Sequence, residues 1–154
     1  MTTHEARAKE LFLMGYNCAQ AVFGAFAPAL GLEETAALRL ASSFGGGIAG
    51  MRETCGAVSG MLLAAGMLYG YDNADAGEEK KLHYARCRAL AERFAARNGS
   101  MVCRELLGQQ TAAAPPAAER TTAYYAERPC ARLVADAAAI LDEYMQENPI
   151  KAQN

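Results

Sequence analysis

The chain has no C-x-x-C pair, no tryptophan and only two histidines. Without C-x-x-C, any disulfide has to be assembled by tertiary contacts, the close ligand pairs of common metal sites are missing, and covalently attached haem is not expected. With only His4 and His83 there is no basis for a Ser/His/Asp set, and both read as surface or packing residues. An excess of basic charge is also lacking: 15 Lys and Arg stand against 17 Asp and Glu, for a formal net charge of -2, so no nucleic-acid partner is expected. The most apolar stretch, Cys55 to Tyr71, falls short of the roughly 20 residues that span a bilayer and follows Arg52 and Glu53 directly, which argues against membrane insertion. Met1-Thr2-Thr3-His4-Glu5 opens an amphipathic pattern rather than a secretory signal, so the expected location is cytoplasmic.

What is present is a 154-residue chain, 52% hydrophobic and 21% charged, the profile of one globular domain with a core large enough to need no disulfide staples. Its five cysteines are therefore not required to hold it together. In a reducing compartment they serve as free thiols, metal ligands or transient redox disulfides.

No segment alternates with period two, and helix signals follow one another along the chain. Thr2 with Glu5 predicts a capping box for a first helix that stops at Gly15. Asn17 with Gln20 starts a second, ending near Pro28. Glu33 and Glu34 open a third, which runs into the breaker Phe44-Gly45-Gly46-Gly47. Thr54 caps a fourth to about Tyr69, a fifth spans roughly 75 to 97 before Asn98-Gly99, and Ser100 caps a sixth through Leu107. Residues 109–118, with Pro115-Pro116, read as a loop, followed by one turn around Tyr124. Pro129 begins the last helix, whose apolar stripe is Leu133, Val134, Ala137, Ile140, Leu141 and Tyr144. The expected fold is all-α, a single compact domain of about six to seven helices over residues 1–154.

On this map Cys18, Cys55, Cys103 and Cys130 each fall in the first turn of a helix. Free backbone N–H groups and the positive end of the helix dipole favour thiolate there, and the thiolate is both the nucleophile and the metal ligand. Cys87 falls mid-helix on a face with His83, Leu90 and Phe94 and reads as core. Gly56, Gly60 and Ala64 recur every four residues, a smooth stripe on which another backbone can lie close and bring cysteines of different helices together. The glycines of 45–50 could present amides to an anion, but without the Lys and Ser/Thr of a phosphate loop they do not predict a nucleotide site. Arg104 and Glu105 adjoin Cys103, where they could tune its thiolate or simply pair at the surface.

Several runs carry a resemblance: Gly15-Tyr16-Asn17-Cys18-Ala19-Gln20, Phe44-Gly45-Gly46-Gly47, Glu53-Thr54-Cys55-Gly56-Ala57-Val58-Ser59-Gly60, Cys103-Arg104-Glu105-Leu106-Leu107-Gly108, and Cys130 with the helix after it. Together they resemble the C_GCAxxG_C_C family of redox-active proteins over nearly the whole length. One departure is that Cys55 precedes Gly56, whereas the family label writes Gly before Cys. The resemblance implies Cys18, Cys55, Cys103 and Cys130 as the family's four cysteines and leaves Cys87 without a counterpart.

Three functions stay open at this level. The four cysteines could form a thiol/disulfide centre acting on an unknown redox partner, with Cys55 as the attacking thiolate. They could instead be Cys18, Cys55, Cys103 and Cys130 ligands to an iron–sulfur cluster or zinc. Alternatively the chain is a helical interaction module or homo-oligomer with structural cysteines, suggested by the small-residue stripe and an exposed Tyr124-Tyr125 pair. Whether the chain is an enzyme does not follow from its residues.

Overall fold

The computed structural model describes residues 1–113 and 119–150, which form helices and no strand. The local signals act where the sequence places them. Helix α1 (Thr3–Met14) begins at Thr2, whose hydroxyl accepts from Glu5 N–H while the Glu5 carboxylate accepts from Thr2 N–H, and it closes at Gly15 in the left-handed conformation. Asn17 and Gln20 repeat that reciprocal cap at the start of α2 (Cys18–Leu30). The second helix continues past Pro28, because in the last turn a proline forfeits one N–H bond and the N–H of Gly31 still reaches Ala27 and Pro28 carbonyls.

Glu33 caps α3 (Glu34–Ala41), and a 3-10 turn at Ser42–Phe44 leads into the glycine loop. The next helix, α4 (Gly56–Tyr69), has Cys55 rather than Thr54 at its cap. Thr54 is taken up by an isolated antiparallel bridge to Val102. Helix α5 (Gly77–Asn98) ends at left-handed Gly99. Ser100 does not cap α6 (Cys103–Leu107); its hydroxyl accepts from Val102 N–H and closes the turn before it. Residues expected as loop begin with a short helix, α7 (Gln109–Ala112), while 114–118, including Pro115-Pro116, lie outside the described residues. The turn at Tyr124 is α8 (Thr122–Glu127), and α9 (Cys130–Glu147) follows Pro129.

Helix α2 is the centre, buried from Ala19 and through Ala21–Ala27, because α1, α3, α4 and α9 all pack around it. Of the expected α9 stripe, Leu133, Val134, Ala137, Ile140 and Leu141 are buried, while Tyr144 near the helix end is only partly covered. Helices α1 and α9 are pinned at one end by buried Asp142, which accepts from the Thr2 hydroxyl at 2.6 Å and lies 2.6 Å from His4 Nδ1. Among the described residues, no helix is long and apolar enough to cross a membrane.

The small-residue stripe sets the helix crossing nearest the cysteines. A Cβ on Gly60 would stand 2.7 Å from the Ala19 carbonyl oxygen, and one on Gly56 would stand 3.0 Å from Ala19 N and 3.1 Å from Cys18 Cβ. Only glycine lets the start of α4 lie directly on the start of α2.

Candidate functional site

Four separate chain segments converge on one cavity. Cys18 is the first residue of α2, Cys130 the first of α9 and Cys103 the first of α6, while Cys55 caps α4. The α2–α4 crossing brings the first and last of these helix starts together. A second device aligns Cys55 with Cys103: Cys55 N–H donates to Met101 O at 2.8 Å and Cys103 N–H to Glu53 O at 2.6 Å, on either side of the Thr54–Val102 bridge. All four sulfur-bearing residues line a cavity of about 60 Å³. All five cysteines are free thiols.

The loop before Cys55 is wound the wrong way for L-residues. Gly46, Gly47, Ile48, Ala49 and Gly50 all have positive φ, and so does Arg52. Left-handed backbone costs a non-glycine residue about 1 to 2 kcal/mol, so this turn persists only because its surroundings hold it. Gly47 shows how: a Cβ there would lie 2.7 Å from Cys103 Cβ and 2.6 Å from Glu53 N. The turn delivers Arg52 to the cavity, where a guanidinium nitrogen lies 3.9 Å from Cys103 Sγ and Nε donates to Ala112 O at 3.2 Å.

Two more arginines complete the lining. Arg120 donates to the Phe12 and Tyr16 carbonyls at the end of α1, at 2.8 and 2.9 Å, and covers the Phe12 ring. Arg128, two residues before Cys130, stacks on Tyr124 with its guanidinium carbon 4.2 Å from the ring centre. Among the described residues neither Arg120 nor Arg128 pairs with a carboxylate, and no carboxylate lines the cavity.

These surroundings separate the four thiols, which helix starts alone would have treated alike. Cys130 is held down to about 7: the Cys18 thiol is the largest influence, burial opposes it, and Arg128, Arg120 and Arg52 add to it. Cys18 answers in the opposite direction, pushed well above the ordinary thiol value first by Cys130 and then by burial. The residue retains some exposed surface, but its sulfur is enclosed. Cys55 is pushed up to about 12 by burial, against which the Ala57 and Val58 N–H groups do too little. Burial also raises Cys103, with Arg52 working against it. Burial thus leads at Cys55 and Cys103 and adds to the effect of Cys130 at Cys18, so three of the four sulfurs are driven toward the protonated thiol.

Two other expectations change. Cys87 is not core: it is half-buried on α5 with its sulfur 3.4 Å from Nε2 of buried His83, because α5 docks through only part of its surface. Tyr124 and Tyr125 do not stand free, since Tyr124 lies under Arg128 and Tyr125 packs edge-on to Phe12 at 5.9 Å. Near Cys103 the tuning cation is Arg52, whereas Arg104 pairs with exposed Glu53 at 3.2 Å and Glu105 bonds the Ser100 hydroxyl. The arginines were missed by sequence reasoning, although Arg52 and Arg128 stand three and two residues before cavity cysteines, a spacing that could have drawn notice.

Among the described residues no group of three or more His, Cys, Asp or Glu side chains is arranged to hold a metal ion.

The family model described as "Putative redox-active protein (C_GCAxxG_C_C)" matches residues 16–144. The chain belongs to the C_GCAxxG_C_C family. That match runs from the residue before the Asn17 cap to the last apolar residue of the α9 stripe, so it contains every element lining the cavity except Phe12. A protein of Archaeoglobus fulgidus named "Uncharacterized protein" is 32% identical over 110 residues, 65% of this chain and 71% of that one. No solved structure matches this C_GCAxxG_C_C chain.

Proposed function

We propose that Cys18 and Cys130 form the dithiol/disulfide pair of a redox centre, with Cys130 as the attacking thiolate and Cys18 as the resolving thiol. The observation that carries this is their mutual influence inside a cavity lined by Arg52, Arg120 and Arg128, which lowers one thiol and raises the other. A nucleophile with an apparent pKa near ambient pH combines a useful thiolate fraction with good nucleophilicity. In the reaction, Cys130 Sγ bonds to an oxidised partner, Cys18 gives up its proton and attacks Cys130 Sγ, and the S–S bond closes. The partner leaves carrying two electrons and takes up the two protons. Cys55 and Cys103 border the pair in the same cavity as buried residues. The interaction-module reading loses its two supports, because the glycine stripe is used against α2 and the tyrosines against arginine and Phe12.

The test is oxidation of the reduced protein with diamide, followed by mass-spectrometric mapping without reduction. A Cys18–Cys130 disulfide is expected as the first product, abolished by Cys18→Ser or Cys130→Ser. If the first bridge joins any other pair, or both residues stay reduced while Cys87 is oxidised, the assignment fails.

A further inference from the structure

Which oxidised partner the thiol pair can meet is decided by access. Attack on a disulfide brings both partner sulfurs, with the carbons they carry, up to the attacking thiolate. Cys130 is only 8% exposed, the Cys18 sulfur is enclosed, and the cavity they share has about 60 Å³. A water needs roughly 10 to 15 Å³ of such space, so a molecule of a few heavy atoms enters whole, whereas a disulfide on a protein or peptide does not. The lining sets a second condition. Phe12, Leu106, Leu107 and Leu133 make much of it apolar, which favours an oxidant with no charge to desolvate. Two cations of the lining are held in place by one side chain: the Arg120 and Arg128 guanidinium carbons lie 5.3 and 4.2 Å from the centre of the Tyr124 ring. Of the five N–H donors on each guanidinium, two of Arg120 go to the Phe12 and Tyr16 carbonyls and one of Arg128 to the Tyr124 hydroxyl. Both arginines keep donors for a further oxygen.

From this geometry we infer that the oxidised partner of the Cys18–Cys130 pair is a small hydroperoxide, hydrogen peroxide in the simplest case, held in the cavity by Arg120 and Arg128 with one oxygen against Cys130 Sγ. This substrate class rests on the redox reading above. In the first step the Cys130 thiolate bonds to that oxygen, the O–O bond breaks, and the departing hydroxide leaves as water with the proton that Cys130 released. Negative charge builds on the departing oxygen, where guanidinium donors already fixed in position stabilise it. Cys130 is then a sulfenic acid, its sulfur oxidised by two electrons. In the second step Cys18 Sγ attacks Cys130 Sγ, the S–S bond forms as the S–O bond breaks, and the hydroxide takes the Cys18 proton to leave as a second water. Two thiols and one peroxide become one disulfide and two waters.

The experiment follows loss of the free Cys130 thiol by mass spectrometry with two oxidants, hydrogen peroxide and oxidised glutathione, a disulfide too large for the cavity. Thiolate is the reacting form with both, so the ratio of the two rates does not depend on ionisation, and it is referred to the same ratio for 2-mercaptoethanol. A donor fixed against a developing oxyanion is worth about a hundredfold or more, and the ratio at Cys130 should exceed the reference by about that factor. Cys18→Ser should stop the peroxide reaction at a Cys130 heavier by one oxygen atom. Arg128→Gln should lower the ratio by about tenfold or more and Arg128→Lys should keep most of it, with circular dichroism establishing that both variants retain their helices. A ratio equal to the reference, or one unchanged in Arg128→Gln, overturns the peroxide assignment, and the pair itself stands if diamide still closes the Cys18–Cys130 bridge. A bridge formed by neither peroxide nor diamide overturns the thiol-pair reading on which the substrate class depends.

Discussion

Replacing Cys18 with alanine tests the electrostatic core of the site. With Cys130 at about 7, roughly half of it is thiolate at pH 7. Removing Cys18 deletes the largest influence holding it there, leaving burial to push it up against Arg128, Arg120 and Arg52. A return to the ordinary 9.0 would leave about one part in a hundred ionised, a loss of about 50-fold in thiolate. The more basic thiolate is also the better nucleophile, with a Brønsted slope of about 0.4 to 0.5, which restores about six- to tenfold over two units. The expected net loss at pH 7 for that return is therefore about five- to eightfold in alkylation rate at Cys130. The assay is the pH–rate profile for iodoacetamide, read at the Cys130 peptide, with its half-maximum near pH 7 in the natural protein and moved upward in Cys18→Ala. The sign is that of an acid depressed in the folded state: reactivity is gained as pH rises through about 7 rather than through 9. Cys18→Ser keeps a hydrogen donor and should retain most of the depression. An unchanged half-maximum in Cys18→Ala would refute the coupling and leave the arginines as its sole cause.

Gly60→Ala should destabilise the protein by about 1 to 3 kcal/mol in chemical denaturation, because its Cβ meets the Ala19 carbonyl at 2.7 Å and a backbone atom cannot step aside. Gly66→Ala, in the same helix with open space around its Cβ, should instead stabilise by about 0.5 to 1 kcal/mol, and equal effects at both positions would contradict the crossing described. Arg52→Gln removes the cation opposing burial at Cys103, so Cys103 should alkylate more slowly at fixed pH; an unchanged rate would show that the 3.9 Å approach has no electrostatic consequence. Asp142→Ala strips the Thr2 hydroxyl and His4 ring of their shared partner and should cost about 1 to 3 kcal/mol, measurable as a lowered denaturation midpoint.

The residues alone determined the helices and the chemistry that their first turns favour. Capping boxes at Thr2/Glu5 and Asn17/Gln20, and left-handed glycines at 15 and 99, act through neighbours within five residues, so the sequence contains the whole of their physics. For the same reason it places Cys18, Cys55, Cys103 and Cys130 at helix starts, and the Gly56/Gly60 stripe signals a close crossing before its partner is known. Which thiol is acidic was decided only by tertiary structure. Ionisation depends on what lies across the cavity, and there Cys18 faces Cys130 from more than a hundred residues away while burial holds Cys55 and Cys103 as thiols. The arginines belong to the same category: Arg52 reaches Cys103 through a left-handed turn that five residues in succession must adopt, and Arg120 by capping the end of α1. A helix start is a local property of the chain, whereas a cationic cavity exists only where four distant segments close upon it.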